Sequence, residues 1–193
     1  MDYKALLKRN LKTSIEAKEI FLAAEIQLTE FSRAVACVVK GYKNSGRLYI
    51  AGNGGSAADA QHLAAEFVSK LAKEREPLAA EALTVDTSVI TAIGNDYGYE
   101  EIFARQIEGK VRGQDVFLAI TTSGNSPNIL RALEKCRELS VPSILLTGHK
   151  GGHAAGLADY CILAPGESTA TIQELHIAVL HSLCECVEIE LFK

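Results

Sequence analysis

No run of apolar residues in this sequence approaches the roughly 20 needed to cross a bilayer, so a membrane-spanning helix is not expected. Positive charge is also scarce: 20 Lys and Arg against 24 Asp and Glu leave a formal net charge of −4, with the basic residues scattered. Nothing in that pattern forms a groove that could track a phosphate backbone, and nucleic acid is not expected as a direct ligand. The five cysteines, Cys37, Cys136, Cys161, Cys184 and Cys186, include no C-x-x-C pair, and an odd number cannot close entirely into internal disulfides. Free, buried or half-buried thiols are the expectation. The N-terminal stretch MDYKALLKRNLKTSIEAKEIF alternates charged and apolar residues and lacks the continuous apolar core of a signal peptide, which points to the cytoplasm.

Repeats, low-complexity tracts and linkers are missing as well. The 193 residues therefore read as one domain, with a helical segment over 1–45 and an α/β core with a C-terminal helix over 46–193. A composition of 48% hydrophobic and 23% charged residues is that of a folded globular chain.

What is present is a change of period. Leu6, Leu7, Leu11, Ile15, Phe21, Leu22, Ile26 and Leu28 recur near helical spacing, and a second helical run ends at Gly46. Short β-rich runs then alternate with helical ones. The expected strands are RLYIAG (47–52), EALTV (81–85), DVFLAI (115–120), VPSILLTG (141–148) and DYCILA (159–164). Helices are expected over SAADAQHLAAEFVSKLAKE, over SPNILRALEKCREL and from about Thr169 to Glu190. Near-continuously apolar strands separated by helices imply a five-stranded parallel sheet covered on both faces, a three-layer α/β sandwich with long helices at either end. The last helix is apolar around much of its circumference, which calls for partners beyond one domain and argues for an oligomer with a helical interface.

In such sheets ligands sit at the carboxyl ends of the strands. Two loops rich in glycine and hydroxyl groups are placed there. AGNGGSAADA carries Asn53, Gly54 and Gly55 after a strand, with Ser56 expected to open a helix. TTSGNS carries Thr121, Thr122, Ser123 and Ser126 ahead of the next helix, where Ser126 also suits an N-cap. Glycine lets the backbone approach an anion, and the helix start offers unpaired N–H groups. The first loop also satisfies a loose dinucleotide fingerprint, but the acidic residue such a site needs is not well placed: Glu74 and Glu76 lie in a charged segment, and Asp86 is too far along.

His62 and Glu66, four apart on the helix after the first loop, share one face and suit a divalent metal or an acid/base pair. The last helix carries Gln173, His176 and His181. Gln173 and His181 are eight apart, about 12 Å along a regular helix, so spacing alone makes Gln173 with His176 the easier pair. Asn95 and Asp96 follow an apolar stretch and are expected just before a helix, where they suit a capping turn or a ligand contact.

Taken together, GNGGSAADAQHLAAE (52–66), LTVDTSVITAIGNDYGYEEIFARQ (83–106), ITTSGNSPNIL (120–130), LTGHKGG (146–152) and IQELHIAVLH (172–181) closely resemble the sedoheptulose 7-phosphate isomerases. These are phosphoheptose isomerases of the sugar isomerase (SIS) superfamily, whose fold is flavodoxin- or Rossmann-like. The resemblance runs from about residue 5 to the C-terminus. It implies conversion of D-sedoheptulose 7-phosphate to D-glycero-D-manno-heptose 7-phosphate, an intramolecular oxidoreductase reaction serving bacterial heptose synthesis. It also implies a homotetramer with active sites at subunit interfaces. Asn53, Gly54, Gly55, Ser56, Asn95, Asp96, Thr121, Thr122, Ser123, Ser126, Glu66 and Gln173 match the family's substrate contacts. His62, Glu66, Gln173 and His181 match its zinc ligands, one Zn²⁺ per subunit, with Glu66 and His181 also its acid/base pair. This chain departs from many members at Thr171, where they carry Arg, and at Ser69-Lys70, where they carry Gly-Arg. A non-catalytic SIS protein that binds sugar phosphates, or a partner as the replication-initiator-associating type does, is the alternative. It would have no need of the four ligands together.

Overall fold

The computed structural model describes residues 1–192. Two helices of similar length open the chain, α1 (Tyr3–Leu22) and α2 (Glu25–Lys43), the first capped by the Asp2 carboxylate accepting from the Lys4 and Ala5 N–H groups. Five strands follow: β1 (Leu48–Gly52), β2 (Ala80–Ala82), β3 (Val116–Thr121), β4 (Ser143–Gly148) and β5 (Tyr160–Ala164). They pair in parallel in the order β2-β1-β3-β4-β5, as the apolar runs require.

Each central strand buries both faces, and alternation assigns them. Leu48, Ile50, Leu118, Ile120, Ile144 and Leu146 point into one core, under α1, α2, α3 (Gly55–Val68) and α7 (Thr169–Leu191). Tyr49, Ala51, Phe117, Ala119 and Leu145 point into the other, under α5 (Ala104–Lys110) and α6 (Pro127–Glu138), with α4 (Thr87–Tyr97) at its margin through Ile90 and Ile93. The expected three layers are present.

Three expected boundaries shift. β2 covers Ala80–Ala82 and not 81–85: Leu83 still donates its N–H to Ile50 O on β1 at 2.8 Å, and the chain then turns to Asp86, the cap of α4. Asp86, the first acidic residue after the second strand, accepts from Val89 N as the cap of α4, which speaks against a dinucleotide site. The helix after the first loop stops at Val68, six residues short of the expected Glu74, because the Leu71, Ala72 and Lys73 N–H groups turn aside to the Glu188 carboxylate. Asn95 and Asp96 precede helical structure as expected, a 3-10 turn at Tyr99–Glu101 and then α5, but they themselves lie within the last turn of α4.

All five thiols are free. Burial pushes Cys136 and Cys184 up to about 12 and Cys161 up to about 11, which keeps them protonated and unreactive.

Candidate active site

β1 hands the chain to α3 on one face of the sheet, while its neighbour β3 hands the chain to α6 on the other. The crevice between such strands is the usual ligand site of a doubly wound sheet. Both loops picked out in the sequence border it. Gly54 takes φ of 55° at the N-cap of α3, a left-handed conformation that favours glycine, and Gly55 is the first helical residue, one earlier than Ser56. Ser56 is buried just inside the helix.

Across the crevice, Asn53 and Asn128 pair reciprocally: Asn53 Nδ2 donates to Asn128 Oδ1 at 2.8 Å and Asn128 Nδ2 to Asn53 Oδ1 at 2.9 Å. Tyr99 Oη donates to the same Asn53 Oδ1 at 3.1 Å and ties the segment after Asn95 and Asp96 to the first loop. Asn95 Nδ2 itself donates to Asp96 Oδ1 at 2.8 Å, and both residues are exposed. Asn128 and Tyr99 escaped the sequence reading. The signal that would have found Asn128 is its place in the first turn of the helix after the hydroxyl loop.

In that second loop, Ser126 stands at the N-cap of α6 without a side-chain cap bond, and its Oγ faces Thr121 Oγ1 at 3.4 Å. The cap role read for Ser126 is thus positional only. Ser123 Oγ accepts from Asn125 N at 3.2 Å, and Asn125 Oδ1 accepts from His153 N at 3.0 Å, which braces the loop against the segment after β4. Thr122 is half-buried beside them.

The third part lies along α3 and α7. Gln173 packs its carboxamide on Gly55: a Cβ there would sit 2.3 Å from Gln173 Nε2 and would displace the carboxamide. Seven residues further along α3 and eight along α7, the ligand atoms of His62, Glu66 and His181 lie within 4.8 Å of one another. The two helices therefore run side by side in the same direction, and the eight-residue gap between Gln173 and His181 is matched by the neighbouring helix. His62 Nε2 is 3.2 Å from Glu66 Oε1, and the His62 and His181 rings meet edge to face at 5.0 Å. His181 Nε2 is buried with no hydrogen-bond partner.

His176, the easier partner by spacing, points elsewhere. It is fully buried against the sheet, and burial pushes its imidazole down to about 4, with the Thr147 backbone opposing. The sheet-facing side of an almost wholly apolar helix claims it. Asp59, one turn before His62, is half-buried; burial raises its carboxyl, against the pull of His62 and His181, and its Oδ2 has no partner. It too went unread in the sequence.

Two imidazoles, one of them with an orphaned buried nitrogen, and a carboxylate form a donor set that suits zinc. They stand beside the two strand-end loops, so the glycine loop, the hydroxyl loop and this cluster form one candidate site. Residues 15–148 match the SIS domain family model. The chain is 50% identical over 186 residues to phosphoheptose isomerase 2 of Campylobacter jejuni, covering 96% of this chain and 92% of that protein. It is 46% identical over 187 residues to the phosphoheptose isomerase of Aneurinibacillus thermoaerophilus, covering 97% and 94%. A solved phosphoheptose isomerase from Francisella tularensis superposes with a TM-score of 0.93 at 35% identity, over 98% of this chain and all of that one. The chain belongs to the phosphoheptose isomerases, a family of sugar-phosphate isomerases.

Proposed function

We propose that this protein interconverts D-sedoheptulose 7-phosphate and D-glycero-D-manno-heptose 7-phosphate through an enediol, in the synthesis of heptose precursors for lipopolysaccharide or capsule in the bacterial cytoplasm. The observation that carries this reading is the convergence of His62, Glu66 and His181 within 4.8 Å, on a chain of this family.

The hydroxyls of Thr121, Thr122, Ser123 and Ser126 and the start of α6 would hold the phosphate without a Lys or Arg. Asn53, Gly54, Gly55, Ser56, Asn95 and Asp96 would grip the sugar chain. An aldose–ketose interconversion moves a proton between C1 and C2 and a second between their oxygens. Glu66, half-buried between two helices, takes and returns the carbon-bound proton; His181 shuttles the hydroxyl proton, and the two exchange roles with direction. His62, Glu66 and His181, with the Gln173 carboxamide as fourth, would hold one zinc ion. When bound, the ion polarises the carbonyl and stabilises charge developing on its oxygen. A carboxylate on an ion is a weaker base, so ligation and proton transfer compete at Glu66.

Both departures from many family members make contacts within the chain. Thr171 is buried and satisfied, its Oγ1 2.9 Å from Ser168 Oγ, and Lys70 pairs with Glu74. A homotetramer with shared sites fits the surface: Leu7, Leu11, Ile15 and Leu22 of α1 are exposed, beside an apolar groove of about 310 Å³ between α1, α2 and α7.

The test is incubation of metal-replete protein with sedoheptulose 7-phosphate, followed by NMR, with a chelated sample alongside. Heptose 7-phosphate that disappears on chelation is expected. Product that survives chelation retires the zinc, and no product in either sample favours a non-catalytic sugar-phosphate binder.

A further inference from the structure

Beyond the site, Arg75 and Glu188 form an ion pair at 2.8 Å with side-chain exposures of 0% and 1%. Buried pairs are costly to desolvate and are weak evidence for stability, so their partners matter more than their charge. Glu188 accepts from the Leu71, Ala72 and Lys73 N–H groups at 2.9, 3.1 and 3.4 Å, in the segment leaving α3. Burial alone would raise its carboxyl; those N–H groups and Arg75 outweigh burial and hold it below the ordinary range. Arg75 Nη2 donates to Glu66 O and Nη1 to Phe67 O, each at 2.9 Å. These carbonyls belong to the last turn of α3, which has no further turn to satisfy them.

The pair thus bolts two helices together. Glu188 sits on α7 two turns beyond His181, and one end of the bolt is the carbonyl of Glu66 itself. The helices also meet where Gln173 lies on Gly55 and where the His62 and His181 rings touch, and they share an apolar cluster that includes Leu63, Ala64, Leu180 and Cys184, a contact that is non-directional. A forked guanidinium and a carboxylate taking several N–H bonds fix position far more tightly. Ligand distances in a metal site tolerate only about 0.2 Å, so a small axial slip of α3 against α7 would spoil the site.

We propose that Arg75 and Glu188 are positioning residues that set the register of α3 against α7, and through it the spacing of His62, Glu66 and His181. This rests on the zinc reading above. The test measures zinc affinity of the full chain by competition with a chromogenic chelator, and the Tm of the same samples without metal. The variants are Arg75→Lys, Glu188→Gln and, as a control of comparable instability, Leu133→Ala, buried in the opposite core on α6. Zinc affinity is expected to fall about tenfold or more in both pair variants, while Leu133→Ala stays within about twofold of the parent. Should Glu188→Gln fail to fold, Glu188→Asp, which keeps the charge but shortens the reach, takes its place with the same expectation. Pair variants that bind zinc like the parent, or a control that loses as much as they do, overturn the proposal and leave the pair a purely structural one. A parent chain that binds no zinc overturns the zinc reading itself, and this proposal with it.

Discussion

Asn53 and Asn128 exchange two side-chain hydrogen bonds, at 2.8 and 2.9 Å, across the crevice where β1 and β3 send their chains to opposite faces of the sheet. Asn53 follows the last residue of β1 and Asn128 lies in the first turn of α6, so the pair holds the glycine loop and the hydroxyl loop at a set distance. Asn128→Ala leaves the Asn53 amide with Tyr99 alone. A rise in KM of about tenfold is expected, with a loss of about 1–3 kcal/mol in stability from urea unfolding. An unchanged KM would show that the two loops keep their places without the pair.

Glu66→Gln keeps the size and the hydrogen-bonding reach of the side chain but removes the carboxylate proposed as the base. Turnover is expected to fall by about 10²–10⁴, with sedoheptulose 7-phosphate binding, read by calorimetry, within a few-fold of the parent. Near-normal kcat would remove Glu66 from the role of base.

Gly55→Ala drives a methyl group into the Gln173 carboxamide, which lies 2.3 Å from where that carbon would stand. The carboxamide must swing away. Zinc affinity and kcat/KM are expected to drop together by about tenfold, with helicity by circular dichroism unchanged, since alanine suits the first turn of a helix. If both parameters hold, Gln173 contributes nothing at this position.

Acid should weaken the fold in two stages. His176 titrates at about 4 in the folded chain against an ordinary 6.5, so the unfolded chain binds the extra proton between those values. Stability therefore falls as pH drops below about 6.5, by on the order of 3 kcal/mol when complete near pH 4. Glu188, held below the ordinary carboxylate range, adds a second loss as pH falls through that range. Urea unfolding as a function of pH measures both. In His176→Gln the first stage should vanish and the second remain; a first stage that persists would place its origin in another group.

Much of the fold could be read from the chain alone. LYIAG, VFLAIT and SILLTG are too continuously apolar to face water on either side, and that forces a parallel sheet between two helical layers. The glycine loop and the hydroxyl loop could be placed at strand ends for the same reason, and His62 with Glu66 follows from the helical repeat. These are local matters of period and of residue type.

Other features had no local signature. His176 and His181 sit on one helix that is apolar nearly all round, so no pattern in the sequence distinguishes the side that meets the sheet from the side that meets α3. Packing decided it, sending His176 into the core and His181 to His62 and Glu66. The end of α3 was equally hidden: the residues after Val68 read as helix by propensity, and a carboxylate more than 100 positions away, Glu188, takes their N–H groups instead. Sequence by itself determined the layers, the loops and the pairing of His62 with Glu66, because those depend on neighbours along the chain, and its family resemblance already singled out His181. The tertiary structure decided how His181, and not His176, reaches that pair and what braces the meeting, because those depend on groups that meet only when two helices are laid side by side.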